Sequence, residues 1–304
     1  MNKFIDEKKE YLITEMFPKR PWLNYAWNET HLASFNQFGS GISRYCDKNG
    51  LFRNILTKDN NRLIFIKNEQ TGEYYAANRN FTNKEFDKFE AIVGMGYSKI
   101  VSEYKNISTN LKLFVPQIGM VECWEVDVCN TGSETANISL YAYASVDMNI
   151  TPHAAYSESK FSDKFNGIYC SHEAFQSPTD ISGLFFATNK KVSAYETTDR
   201  RFKGVYSSIE HPIGLESDLL SNSSSCFENE LAPVLQFKLK LNPGQSEKLL
   251  FVFEVFLMPL KSYQVCFSHI MGRSFKLIIL PFMQDFQMPN LGDAQVIIGK
   301  RKLK

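Results

Sequence analysis

The chain lacks a strong charge of either sign: 34 Lys and Arg stand against 33 Asp and Glu, a net +1. No basic face of the kind that nucleic acid or an anionic membrane selects is therefore predicted. It also lacks an apolar run of about 18 residues, which excludes an ordinary membrane-spanning helix. Residues 1–10 are mostly charged and have no apolar centre, so they do not read as a secretory signal. Cysteine is sparse. Cys46, Cys123, Cys129, Cys170, Cys226 and Cys266 show no Cys-x-x-Cys spacing and no paired histidines, so no metal site is expected. They read as reduced thiols, and the expected location is cytoplasmic. A phosphate loop is missing too. Gly39-Ser40-Gly41 is followed by neither a Gly-Lys-Ser/Thr ending nor a helical pattern, and it reads as a tight strand-to-strand turn.

What is present is strand after short strand. Hydrophobic residues make up 43% and charged residues 22% of 304 positions, with 25 Phe and 14 Tyr, the profile of a folded globular chain with a sizeable core. In residues 121–147, Trp124, Val126 and Val128 alternate with Glu125 and Asp127. After a turn at 130–134, Ile138, Leu140 and Ala142 alternate with Ser139, Tyr141 and Tyr143. A period of two marks half-buried strands, and the stretch predicts a long antiparallel hairpin. The same construction returns at 235–255, around Asn242-Pro243-Gly244-Gln245, which suits a type II turn. Turns every 8 to 12 residues argue sheet packed on sheet.

The expected organisation is a polar lead-in at 1–20, a β-sandwich over 21–257, and an atypical tail at 258–304. The tail, irregular or partly helical, reads as a truncated linker. In 20–28, Trp22 and Tyr25 are expected to pack inward. The basic stretch 199–204 reads as a turn. Residues 149–166 are irregular and polar, the kind of connection that carries function on a sheet scaffold.

With these segments in order, the sequence resembles the N-terminal part of the family-94 inverting glycoside phosphorylases, the cellobiose and chitobiose phosphorylases. The resemblance rests on a colinear set: Pro21-Trp22-Leu23-Asn24-Tyr25, Gly39-Ser40-Gly41-Ile42-Ser43, Gly94-Met95-Gly96-Tyr97, Phe114-Val115-Pro116, the strand from 122 to its Asn130-Thr131 turn, Ala187-Thr188-Asn189, and Leu241-Asn242-Pro243-Gly244-Gln245.

The resemblance implies an all-β fold, a large antiparallel β-supersandwich of the galactose-mutarotase-like kind. It also implies a carbohydrate-proximal and dimerisation module of a phosphate-dependent glycosyltransferase. In that family the general acid and the phosphate contacts lie in a following helical barrel, where phosphate attacks the anomeric carbon while the acid protonates the leaving oxygen. No residue here matches that acid, so no catalytic residue and no cofactor is assigned, with inorganic phosphate as the family's co-substrate. The chain is expected to be inactive alone. Its expected partners are a β-linked glucose disaccharide or oligosaccharide, a separately encoded barrel and a second copy, without nucleic acid or membrane. By position in the matched order, Arg44, Tyr45, Asn149 and His153 are the sugar-proximal candidates. Two alternatives stand beside this reading: a carbohydrate-binding module with an exposed aromatic platform, and, behind it, an aldose-epimerase-like enzyme using His153 or His172 with Glu173 or Glu158.

Overall fold

The computed structural model describes residues 2–20, 22–46, 50–79, 81, 84–147, 156–173, 183–226 and 230–256. These form three antiparallel sheets. The largest starts at one edge with β1 (Lys3–Ile5), β2 (Glu10–Ile13), β9 (Lys88–Gly94), β10 (Tyr97–Tyr104), β11 (Ile107–Phe114) and β12 (Val121–Asn130). It continues through β20 (Ser246–Phe256), β16 (Gly183–Thr188), β15 (Gly167–Glu173), β14 (Tyr156–Ser162) and β18 (Ser225–Cys226). A five-stranded sheet runs β17 (Ala194–Thr198), β19 (Leu231–Leu241), β13 (Ala136–Ala144), β7 (Arg62–Asn68), β8 (Tyr74–Ala76). A four-stranded sheet runs β3 (Leu23–Trp27), β4 (His31–Asn36), β5 (Ser43–Cys46), β6 (Phe52–Leu56). The all-β supersandwich expected from the sequence is what the chain forms.

The two expected hairpins are not hairpins. β12 pairs with β11 and β20, whereas β13 pairs with β7 and β19. β19 and β20 likewise sit in different sheets. Each pair is an arch that carries the chain from one sheet to the other. The cause is in the side chains: Trp124, Val126 and Val128 face Ile138, Leu140 and Ala142 across one core, together with Leu235, Phe237, Phe251 and Phe253. Arms paired edge to edge in one sheet would lay those sets side by side; arms in facing sheets bury them against each other. The two arches lean together at Asn130, whose side-chain amide donates to Glu134 O and Leu241 O (2.7 and 2.9 Å) while Gly244 N donates to its carbonyl (2.8 Å). Gly244, at φ 72°, takes the positive-φ turn position expected of it.

A second apolar layer covers the back of the five-stranded sheet. Leu63, Phe65, Tyr141, Tyr143 and Val234 pack under Phe202, Leu215 and Leu220. Phe202 comes from a one-turn helix, α1 (Asp199–Lys203), capped by Thr198, whose hydroxyl accepts from Arg201 N. The stretch read as a basic turn is thus a helix that drops an aromatic ring onto Tyr143, while Asp199 accepts from Tyr143 Oη at 2.8 Å.

The lead-in also departs from expectation, since β1 and β2 extend the large sheet and Ile13 is buried. Tyr25 of β3 and Trp22 just before it do not pack inward; both are exposed, and the Trp22 ring lies against Tyr11 of β2. The inward positions belong to Ala26 and to Asn24, whose amide donates to Gly94 O and Tyr97 O (3.0 and 2.7 Å). The tail expected at 258–304 lies outside the described residues.

Candidate functional site

The turn between β4 and β5 is built like a site. Asn36 closes it: its side-chain oxygen accepts from Phe38 N and Ser40 N (2.9 and 3.0 Å), and its backbone N–H donates to Ser40 O at 2.7 Å. Gly41 is required by space. A Cβ there would lie 2.2 Å from Ser34 O, and its φ of 156° sits at the margin of the range that L side chains rarely adopt.

Arg62 supports the turn from within. Its guanidinium donates to Gly39 O (3.3 Å), Gly41 O (3.1 Å) and Ile42 O (3.2 Å), and it holds Glu122 at two points, 2.5 and 2.8 Å. Both side chains are fully buried. Trp124 Nε1 donates to the same carboxylate at 2.7 Å, and the Phe35 ring lies 5.0 Å under the guanidinium. Burial alone would raise the Glu122 pKa; the charge and hydrogen bonds of Arg62 outweigh it and hold the carboxyl below its ordinary value. His31, beside the pair and within 2.9 Å of Ser43 Oγ, is pushed down to about 4 by burial, so it stays neutral.

Asn61 and Asn78 complete the frame. Asn61 donates to Gly41 O at 2.5 Å and Asn78 to Phe38 O at 2.7 Å. The carbonyl of Asn61 accepts from Ser145 N (3.0 Å), and Asp147 N donates to Ile55 O (2.8 Å). The chain just past β13 therefore lies against β6 and against Asn61, which holds this turn. The segment read as irregular at 149–166 is, in its described part, not a free connection: it forms β14 of the large sheet.

Two polar atoms of the turn itself, Gln37 Oε1 and Ser40 Oγ, are buried without a hydrogen-bond partner, as is Arg44 Nε on the following strand β5. Native proteins leave few such atoms, and each marks a place where a water or a ligand can supply the missing bond. Of the sequence candidates, Arg44 lies on β5 opposite Leu32 and faces outward, partly exposed. Tyr45, its neighbour, points the other way into the core and is fully buried. Asn149 and His153 lie outside the described residues. Glu158 is exposed and paired with Lys160 at 2.8 Å. Sequence reasoning missed Gln37, Ser40, Arg62 and Glu122. A signal existed for the last two, because each is a charge standing in phase with an apolar stripe.

The other buried acids among the described residues are held by partners. Asp199 is bound by Tyr143 and Lys203, Glu196 by Ser221 and Ser223, and Glu10 by Tyr97. Glu254 differs. Half-buried, it stands on the outer side of β20 between Val121 and Phe185, whose packing strips water from the carboxyl and raises its pKa to about 7. No group of three His, Cys, Asp or Glu able to hold a metal occurs among the described residues, and no helix there is long and apolar enough to cross a membrane.

Comparison with known proteins gives this geometry a family. The chain is 27% identical over 261 residues to solabiose phosphorylase of Paenibacillus borealis, covering 80% of this chain and 33% of the relative. It is 23% identical over 264 residues to N,N'-diacetylchitobiose phosphorylase of Vibrio furnissii, covering 83% and 33%. The chain thus spans about a third of the length of these relatives. Among solved structures it resembles a human-microbiome protein assigned as a kojibiose phosphorylase, with a TM-score of 0.50 at 11% identity, covering 84% of this chain and 33% of that one. This last likeness speaks to the fold. The model of the glycosyl hydrolase 94 supersandwich domain matches residues 9–256, from the start of β2 to the end of β20, and the chain belongs to that family.

Proposed function

We propose that this chain is the sandwich module of a phosphate-dependent enzyme that cleaves β-linked disaccharides, and that it forms one wall of the sugar pocket without supplying the reactive groups. The observation that carries this reading is the β4–β5 turn, held by internal hydrogen bonds yet carrying buried polar atoms that have no partner. Arg62 and Asn61 occupy its carbonyls, while Gln37 Oε1 and Ser40 Oγ remain buried and unpaired. Such atoms suit the hydroxyls of a sugar, which both donate and accept. The commitment of Glu122, Asp199 and Glu196 to internal partners leaves these acids to structure. In this reading the acid that protonates the leaving oxygen comes from the part of the relatives' length that this chain does not span. Arg44, Asn149 and His153 are placed near the sugar, with Tyr45 supporting Arg44 from the core, and a second copy of the module joins the assembly.

The test is a transplant. Residues 9–256 replace the matching third of the Paenibacillus borealis solabiose phosphorylase, and phosphorolysis is measured with and without Gln37→Ala and Ser40→Ala. An active chimera that loses disaccharide affinity in both variants supports the wall reading. An active chimera indifferent to both overturns it.

A further inference from the structure

The Arg62–Glu122 pair joins β7 to β12 near the start of both strands, with both side chains fully buried. Further along the same strands the sheets meet through hydroxyls instead. Tyr75 stands on β8, opposite Ile66 of β7, and Thr109 on β11, opposite Val128 of β12. Tyr75 is 7% exposed and Thr109 1%, and the Tyr75 ring packs on Tyr104 with centroids 4.7 Å apart. Burial raises the Tyr75 pKa, and the nearby Thr109 hydroxyl works against that rise. The two groups are therefore close enough to act on each other. Even so, Tyr75 Oη and Thr109 Oγ1 are both buried without a direct hydrogen-bond partner. A hydroxyl taken out of water and left unbonded costs free energy, and here each sheet contributes one.

A cavity of about 30 Å³ lies beside them, between Tyr75 and Ile66 on one sheet and Tyr104 and Ile107 on the other, with Glu73 and Lys105 also in its wall. The Glu73 carboxylate is already taken. Tyr104 Oη and Lys84 Nζ donate to one of its oxygens, each at 2.8 Å, and Lys105 Nζ donates to the other. A cation would therefore find no free carboxylate in this wall, an apolar ligand would leave both hydroxyls unbonded, and a sugar ring does not fit. A water needs roughly 10–15 Å³ of such space and two to four polar partners. The cavity exceeds the first requirement, and the two hydroxyls meet the second, since each can donate and accept.

We propose that Tyr75, Thr109 and this cavity form an internal hydration site, in which one ordered water bridges the two hydroxyls and so joins the two sheets. The water accepts from one hydroxyl and donates to the other, and the remaining space lets it exchange with solvent past the exposed Lys105 side chain. The two sheets are thus fastened by a dry ion pair near the start of β7 and β12 and by a wet bridge further along. This site is independent of the β4–β5 turn and of the wall reading.

The test is a double-mutant cycle in the full chain, Tyr75→Phe and Thr109→Val, read by chemical denaturation beside a high-resolution crystal structure of the wild type. Each change keeps the shape of the side chain and removes the hydroxyl. The expected result is that either single change raises the unfolding constant about fivefold, because it leaves the water one partner short. The double change is expected to cost less than the sum of the two, and ordered density is expected within about 3.0 Å of both oxygens. Single changes that stabilise the chain would show that neither hydroxyl has a partner, and would overturn the proposal. Additive single changes overturn it too, as does a direct bond between the two hydroxyls with no density between them.

Discussion

Arg62 on β7 and Glu122 on β12 join two different sheets through a two-point ion pair from which water is excluded on every side. An enclosed pair of this kind contributes little over an apolar replacement, yet removing one partner strands a charge. Arg62→Met is therefore predicted to cost about 3–5 kcal/mol in chemical denaturation, because it strands Glu122 and releases the carbonyls of Gly39, Gly41 and Ile42. Arg62→Met with Glu122→Met is predicted to cost less than the sum of the single changes. A single-variant loss below about 1 kcal/mol would contradict the clamp.

Gly41 and Gly244 both fall in the positive-φ range but differ in what surrounds them. A Cβ at Gly244 meets nothing within 4 Å, whereas at Gly41 it meets the Ser34 carbonyl. Gly244→Ala is predicted to lose about 1–2 kcal/mol from dihedral strain alone. Gly41→Ala should lose more than about 3 kcal/mol, since the β4–β5 turn must open. Thermal melts of the two variants, side by side, decide the order.

Ser40 is predicted to trade stability for binding. Its hydroxyl is buried and unpaired, so Ser40→Ala removes a desolvated polar atom and should stabilise the isolated chain by about 1 kcal/mol. The same change should weaken disaccharide binding in the chimera. A destabilised variant would mean that the hydroxyl has a partner in solution and that the turn is satisfied without a ligand.

Two groups give stability opposite slopes with pH. His31, at about 4 in the folded chain, binds its proton more readily when unfolded. Its contribution is full above the ordinary histidine value and falls as pH drops from about 6.5 toward 4. Glu254, raised to about 7, holds its proton more tightly when folded. Its contribution is full below the ordinary carboxyl value and falls as pH rises from about 4.5 through 7. Wild type is thus predicted to lose stability relative to Glu254→Gln between pH 5 and pH 8. Denaturation midpoints across that range check it; parallel curves would show that Glu254 is solvated.

Much of the fold was legible because alternation is a local property. The stripes of β12, β13, β19 and β20 announced themselves as strands, and the Asn242-Pro243-Gly244-Gln245 turn was readable from its residue types. Pairing was not legible, since an arch and a hairpin share one pattern and differ only in whether the arms bond to each other or to other strands. The inward side of β3 was misread because Asn24, a polar residue, is held inside by the carbonyls of Gly94 and Tyr97, partners some 70 positions away. The turn at Gly39 was visible as a turn, but its meaning depends on Arg62 and Glu122. Those two could have been noticed: Arg62 is in phase with Ile64 and Ile66, and Glu122 with Trp124 and Val126. Two opposite charges, each interrupting an apolar stripe, are what an enclosed pair looks like in one dimension.

The most direct trial of the account is to incubate the chain alone with inorganic phosphate and a β-linked disaccharide and to assay for sugar 1-phosphate. The account predicts none at any protein concentration, with product appearing only when the remaining two thirds of a relative's length is supplied. Sugar 1-phosphate formed by this chain alone would contradict it.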